Sequence, residues 1–192
     1  MLRELVEKNR SCRGFDESRT VTKEELLELV DMTRYVASGF NLQPLKYRIV
    51  CEKELVEAIL PLTKWGAAIK HMKLPQPGKH PAAVIVICHD TTIGPNADSA
   101  HIELGAMAQT ILLGAVERGL GGCMIQNFSS SAVKETLGLA DTLVPKLILG
   151  LGKPDEEIHI VPIGTDGSTK YYRDENDVHY VPKRDLKEIV IE

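Results

Sequence analysis

Apolar positions in this chain follow three different rhythms, and each predicts a different element. In the stretch Asp98–Phe128, nearly every side chain from Ile102 to Val116 is apolar or small, with Glu103 and Gln109 the main polar interruptions. A helix lying on a protein surface carries charge on about half its circumference, and this one does not. About 21 residues at 1.5 Å each would span ~31 Å, the width of a small domain. The spacing therefore predicts a long central helix packed on all sides, in part by a second chain. Gly105, Ala106, Ala108, Gly114 and Ala115 are small enough for other helices to approach closely. The helix should stop in Gly119-Leu120-Gly121-Gly122, residues that tolerate positive φ and leave backbone amides uncovered.

A second rhythm is the unbroken β-branched run. Ala82–Cys88, between Pro81 and Asp90, predicts a strand covered on both faces, and Lys146–Leu151 predicts another. Tyr47–Cys51 and Cys123–Ile125 are shorter strand candidates. The third rhythm is helical and amphipathic. Residues 1–9 place Leu2, Leu5 and Val6 on one face, and Thr22 with Glu25 forms a capping box before Leu26, Leu29, Val30 and Thr33. Glu54–Leu60 ends at Pro61, Ser131 is placed to cap Ala132–Leu137, and an amphipathic turn closes the chain at Leu186–Val190. Residues 61–80 hold Trp65 and a Pro75–Gly78 turn without a period, which predicts a lid or surface excursion over 62–80. Residues 165–192 read as an extended, polar C-terminal arm. Helices outnumber dispersed strands, so the expected fold is α+β: one domain over 1–192, a small mixed or antiparallel sheet covered by helices.

Composition narrows the function. A chain of 192 residues buries ~70% of its unfolded surface, enough for a real core. Its 23 Lys+Arg and 27 Asp+Glu give a net charge of −4, scattered along the chain, so no nucleic-acid footprint is expected. The central segment is too polar at its ends and too rich in Gly and Ala for a membrane span. MLRELVEKNRSCRGF lacks the apolar region of a secretory signal. Cys12, Cys51, Cys88 and Cys123 lie far apart and never form a C-x-x-C pair, which reads as reduced thiols of a cytoplasmic protein.

Three constellations carry chemistry. Arg10-Ser11-x-Arg13 sets two guanidinium groups and a hydroxyl on a break beside a helix end, donors suited to a phosphate. Ser38-x-x-Asn41-x-Gln43-Pro44 supplies paired donors and acceptors, suited to the edge of a heterocycle. Gly119–Phe128 offers a glycine-lined platform. Taken singly, the first two are better read as a solvated arginine pair and an Asx-type turn before a proline, and the third has a plain glycine C-cap as its alternative. Other motifs fail. His101-x-Glu103 imitates a zinc deaminase without the P-C-x-x-C half, so no metal site is expected. Gly119-x-Gly121 and Gly150-x-Gly152 lack the rest of a dinucleotide fingerprint, and no phosphate-loop motif exists.

Together the three constellations resemble the FMN-dependent nitroreductase family. Arg10-Ser11-x-Arg13-x-Phe15, Ala37-Ser38-x-x-Asn41-x-Gln43-Pro44 and Gly105-x-x-x-Gln109-x-x-Leu112 through Gly119–Cys123 occur in that family's order and spacing. So do Gly150-x-Gly152-Lys153-Pro154 and Lys183-Arg184-x-Leu186. The resemblance implies a nitroreductase-like fold and a homodimer with the long helix in its core and two FMN sites at the interface. Arg10, Ser11 and Arg13 would hold the phosphate, ribityl chain and the N1/C2 carbonyl side of the ring. Ala37, Ser38, Gly39, Asn41 and Gln43 would come from the other subunit. Gly121, Gly122 and the backbone at Ile125 and Gln126 would line the ring, and Lys183 and Arg184 would return to the phosphate. Lys64 and Trp65 are candidates beside the open flavin face. The chain departs from the family at Asn9, where many members have a basic residue, and at Leu45, where many have Trp.

The implied activity is oxidoreductase chemistry in which NADH or NADPH reduces the flavin at N5 and a small acceptor, nitroaromatic or quinone, reoxidises it by a ping-pong route. No protein residue acts as nucleophile; Arg13 would stabilise negative charge along N1–C2=O. Two alternatives stand beside it: a flavin-binding sensor or carrier without turnover, and a scaffold dimer without cofactor.

Overall fold

The structure, a computed structural model of the chain, describes residues 1–69, 72–93 and 97–191. Its organising element is an antiparallel sheet built on the long strand β5, Leu143–Pro154. On one edge of β5 lies β3, Ala83–Asp90, with β2, Leu45–Val50, outside it. On the other edge β4, Gly121–Ile125, and the two-residue β1, Phe15–Asp16, pair with successive parts of the same strand.

The unbroken apolar run of β3 follows from its position. Ala83, Ile85 and Ile87 point to one face, where Leu26 and Leu29 of α2, Lys23–Asp31, meet Leu104, Met107, Ala108 and Ile111 of α4, Ala97–Glu117. Val84, Val86 and Cys88 point to the other, against Val56 and Ile59 of α3, Lys53–Ile59, and Val133 of α5, Ser130–Thr136. With both faces covered, no position along the strand benefits from a polar side chain. The capping box opens α2 as its sequence predicts: the Glu25 N–H donates to Thr22 Oγ1 at 3.2 Å and the Thr22 N–H to Glu25 Oε2 at 2.9 Å. The cap of α5 is Ser129 rather than Ser131.

The long helix has two unlike faces. Leu104, Met107, Ile111, Leu112 and Ala115 are buried against the sheet, and Gly114 admits Met32, whose methyl would clash with an added Cβ. Ile102, Gly105 and Ala106 face outward, and Ile102 is 83% exposed. Packing on all sides is therefore not met within one chain. Helix α1, Leu2–Lys8, buries none of its residues.

Two regions differ from expectation. Within residues 62–80, Trp65, Ile69 and Leu74 are buried in the α3–α5 core, so these parts are anchored, not standing off the surface; residues 70 and 71 lie outside the described residues. The C-terminal arm is folded. A hairpin of β7, Tyr172–Arg173, and β8, His179–Lys183, adds in parallel to β6, Ile158–Pro162, as a second, mixed sheet. None of the five residues of β6 is buried, so they give little periodic signal, and its partner is not a sequence neighbour. The chain then ends in α6, Leu186–Ile189, with Glu192 outside the described residues.

Gly150, at the centre of β5, is dictated by packing: an added Cβ would lie 2.5 Å from Trp65 Cη2. Gly150→Ala should lower unfolding stability by about 1–3 kcal/mol, read as a fall in urea midpoint at unchanged slope.

Candidate functional site

The Arg10–Arg13 segment leaves α1 and runs beside β4. Ser11 bridges Gly122 in parallel, and the Cys12 N–H donates to the Gly122 carbonyl at 3.0 Å. Alternation then buries the Cys12 side chain and sets Ser11 and Arg13 along a cavity of about 280 Å³, which Arg10 also lines. The opposite wall comes from the folded arm, which contributes Tyr171, His179, Val181 and Lys183. Gln109, Leu112, Gly122 and Met124 complete the cavity with Asn9. A second cavity of about 420 Å³, lined by Lys64, Trp65, Ile125, Gln126 and Asn127, shares Arg13, Met124 and Tyr171 with it. Both are within the order of size of small-ligand sites, roughly 300–1,000 Å³.

Arg13 is held from several directions. Its Nη1 donates to the Ser11 carbonyl at 3.1 Å, and its guanidinium lies 4.9 Å from the centre of the Tyr171 ring. Its backbone N–H donates to Glu156, which also accepts from Arg173; the Glu156 and Arg173 side chains are both 2% exposed. Arg173 donates in addition to Asp177 Oδ1 at 2.8 Å. This buried network joins the N-terminal loop to the arm.

The site has polar capacity left over. Arg10 Nε, Arg13 Nε and both ring nitrogens of His179 are buried with no hydrogen-bond partner. All three side chains line the first cavity. Buried polar atoms normally have partners, so four such nitrogens on three residues lining one cavity point to a polar ligand there. Arg10, Arg13 and Lys183 supply positive charge, and among the described residues no carboxylate lines this cavity. An anionic ligand with hydroxyl groups and a flat polar ring, such as flavin mononucleotide, matches that donor set.

Burial is the main cause lowering the His179 pKa to about 4, assisted by Arg13 and Arg173. The imidazole is therefore neutral at pH 7. Burial pushes the thiols of Cys12 and Cys123 up, with Glu156 adding to the effect on Cys12 while Arg13 opposes it at Cys123. Neither is a thiolate nucleophile near neutrality.

Of the residues singled out from sequence, Arg10, Ser11, Arg13, Gly122 and Lys183 meet in the first cavity, and Ile125 and Gln126 join Arg13 in the second. Lys64 and Trp65 line the second cavity, but Trp65 is largely core: its Nε1 donates to Thr63 Oγ1 at 2.7 Å and its ring packs edge-on against Phe15. Gly121 faces a neighbouring cavity with Lys8, Cys12 and Pro154. Arg184 points away and pairs with Glu188 at 3.7 Å. Ala37, Ser38, Gly39, Asn41 and Gln43 line neither ligand cavity. Their loop is held by the buried Glu103, which accepts from Ser38 Oγ at 2.9 Å and from the Gly39 N–H at 2.8 Å. Phe40, Asn41 and Gln43 adopt positive φ there, and the Phe40 side chain is 99% exposed.

Sequence reasoning missed Tyr171, His179, Glu156 and Arg173. One signal was present: Asp174-Glu175-Asn176-Asp177 is turn chemistry between two alternating runs, and it forms the hairpin that brings Tyr171 and His179 inward. Among the described residues no metal-binding cluster occurs, and no helix is long and apolar enough to cross a membrane.

A family model described as the nitroreductase family matches residues 6–153. A Bacillus subtilis (strain 168) protein named as a candidate NAD(P)H nitroreductase, YdgI, is 21% identical, with 80% of this chain and 88% of that one aligned. Among solved structures, a nitroreductase family protein from Streptococcus pneumoniae TIGR4 superposes with TM-score 0.71 at 16% identity over 100% of both chains. A candidate nitroreductase from Exiguobacterium sibiricum 255-15, solved in complex with FMN, gives TM-score 0.67 at 19% identity, covering 81% of this chain and 89% of its own.

Two outcomes follow for the site. Arg173→Met strands the Glu156 carboxylate in the interior and should cost about 3–5 kcal/mol of stability in urea titration. For His179, the unfolded chain binds a proton near pH 6.5 and the folded chain only near pH 4. Its contribution is thus full above pH 6.5 and fades as pH falls toward 4. The ligand-free protein should lose stability across that window, and His179→Gln should flatten the loss.

Proposed function

The chain belongs to the nitroreductase family, and on that premise we propose that it is an FMN-dependent oxidoreductase using NADH or NADPH to reduce a small acceptor. The observation that carries the reading is one cavity lined by Lys183 and by three residues that together hold four buried, unpartnered nitrogens. FMN bound there would supply the redox chemistry, accepting hydride from the nicotinamide and passing electrons to a nitroaromatic or quinone in a ping-pong cycle.

The protein's part is binding, orientation and electrostatics. Arg10, Ser11 and Lys183 would hold the phosphate, since hydrogen bonds from charged donors are stronger than neutral ones. Arg13 sits where the two cavities meet, and Tyr171, the Ser11 carbonyl and the tether from its backbone to Glu156 restrain it. A cation fixed in this way needs no reorganisation to stabilise negative charge growing on the N1–C2=O side of a ring. Gln126, Ile125 and Asn127 form the ring wall, with Lys64 at the acceptor side.

We further propose that the working unit is a homodimer. The outward face of α4 at Ile102, Gly105 and Ala106, the exposed Leu2 and Val6 of α1, and the apolar C-terminal residues Leu186, Ile189 and Ile191 are surfaces that a second copy would cover. The second copy would bring its Ala37, Ser38, Gly39, Asn41 and Gln43 to the flavin edge, with Glu103 fixing the loop beforehand. Four free cysteines suit a reducing, cytoplasmic setting.

Purified protein should be yellow or take up FMN, sediment at twice 21.2 kDa, and oxidise NADH or NADPH with parallel double-reciprocal lines for a nitroaromatic or quinone. A protein that cannot be reconstituted with FMN would rule the reading out, and FMN binding without NAD(P)H oxidation would favour a sensor or carrier. Arg10→Ala should weaken FMN binding roughly 10- to 100-fold, the range for a charge-assisted hydrogen bond.

A further inference from the structure

His179 is assigned no role by the motifs that place this chain in its family, yet its surroundings are unusual. It lies on β8, aligned with Ile158 of β6 and with Arg173 of β7, so its backbone is fixed from both sides. Its ring packs edge-on against Tyr171 with centroids 5.4 Å apart. The residue is 1% exposed, lines the 280 Å³ cavity, and leaves both Nδ1 and Nε2 without a partner.

The protonation state decides what such a ring can recognise. Burial, Arg13 and Arg173 keep it neutral at pH 7, against a smaller opposing effect of Asp177. Neutral imidazole has one N–H donor and one bare acceptor nitrogen. A phosphate dianion offers acceptors only, so it would satisfy the N–H and leave the other nitrogen buried and unpaired. A hydroxyl group both donates and accepts, and neighbouring hydroxyls on a polyol chain could satisfy both nitrogens. Arg10 and Lys183 already supply donors for a phosphate in the same cavity.

We infer that His179 is a ligand-contacting residue that reads hydroxyl groups of a polyol chain, which in this cavity is the ribityl segment of the flavin. This rests on the FMN reading above and adds to it a division of labour: cations for the phosphate, a neutral imidazole for the chain between phosphate and ring.

The experiment compares FMN, riboflavin and lumiflavin, which lacks the ribityl chain, on wild-type protein, His179→Phe and His179→Gln. Phenylalanine keeps the ring against Tyr171 and removes both nitrogens; glutamine restores one donor and one acceptor. In His179→Phe, FMN and riboflavin should both weaken by the same factor, about tenfold for a lost hydrogen-bond pair. Lumiflavin should bind as before, and His179→Gln should recover part of the loss. On ¹⁵N-histidine-labelled wild-type protein, riboflavin should shift the His179 ring signals and inorganic phosphate should not. Should His179→Phe fail to fold, by near-UV circular dichroism, that wild-type titration decides. Unchanged affinity for FMN and riboflavin in folded His179→Phe overturns the assignment, as does a loss confined to FMN. A wild-type chain that binds no flavin overturns the cofactor reading and this inference together, whereas a flavin-binding wild type with an indifferent His179→Phe overturns only this one.

Discussion

The Glu156 carboxylate, buried between the Arg13 backbone N–H and the Arg173 guanidinium, is the contact on which the site depends. It joins two segments that the sheet alone would leave apart: the loop after α1 and the hairpin of the C-terminal arm. A buried pair is weak evidence of stability, because removing both charges from water costs several kcal/mol. Its value here is positional. Arg173 is further restrained by Asp177, and that restraint fixes the hairpin whose flanking residues Tyr171 and His179 close the cavity over Arg13.

The rest of the fold provides a rigid floor for that wall. Strand β4 lies along β5, and β5 carries helices on both faces, so neither can shift without disturbing two cores. Glycine serves close approach here. An added Cβ on Gly122 would lie 2.6 Å from the Gly150 carbonyl oxygen. The glycine run after α4 is therefore first a packing requirement of the sheet. Its flat, side-chain-free surface beside Ser11 is a consequence that a cofactor can use.

Much of this was legible in the residues. The two-faced strands, the capped α2 and the long apolar helix followed from periodicity, because each is decided by neighbours in sequence and by which faces are covered. The grip of Arg10, Ser11, Arg13 and Lys183 followed from family-like spacing, and the cavity does assemble them. Glu156, Arg173 and His179 escaped because nothing local marks them: a glutamate inside the acidic run Asp155-Glu156-Glu157 reads as solvated until its partner arrives from another segment. Arg184 shows the converse, since adjacency to Lys183 suggested a shared role while Arg184, just past the end of β8, pairs with Glu188 instead. The loop at Ser38–Gln43 was recognised as a motif, but its anchoring by Glu103 depends on a helix 65 residues away in sequence.

For the cavity to hold the proposed FMN, the loop after α1 and the C-terminal arm must be tied together at Glu156. The most direct test is FMN affinity by fluorescence titration in Glu156→Ala, with near-UV circular dichroism confirming that the Trp65 environment persists. Affinity should fall at least tenfold, with the core spectrum retained. Wild-type affinity in that variant would mean that the arm and the loop form the site independently, and would contradict the account.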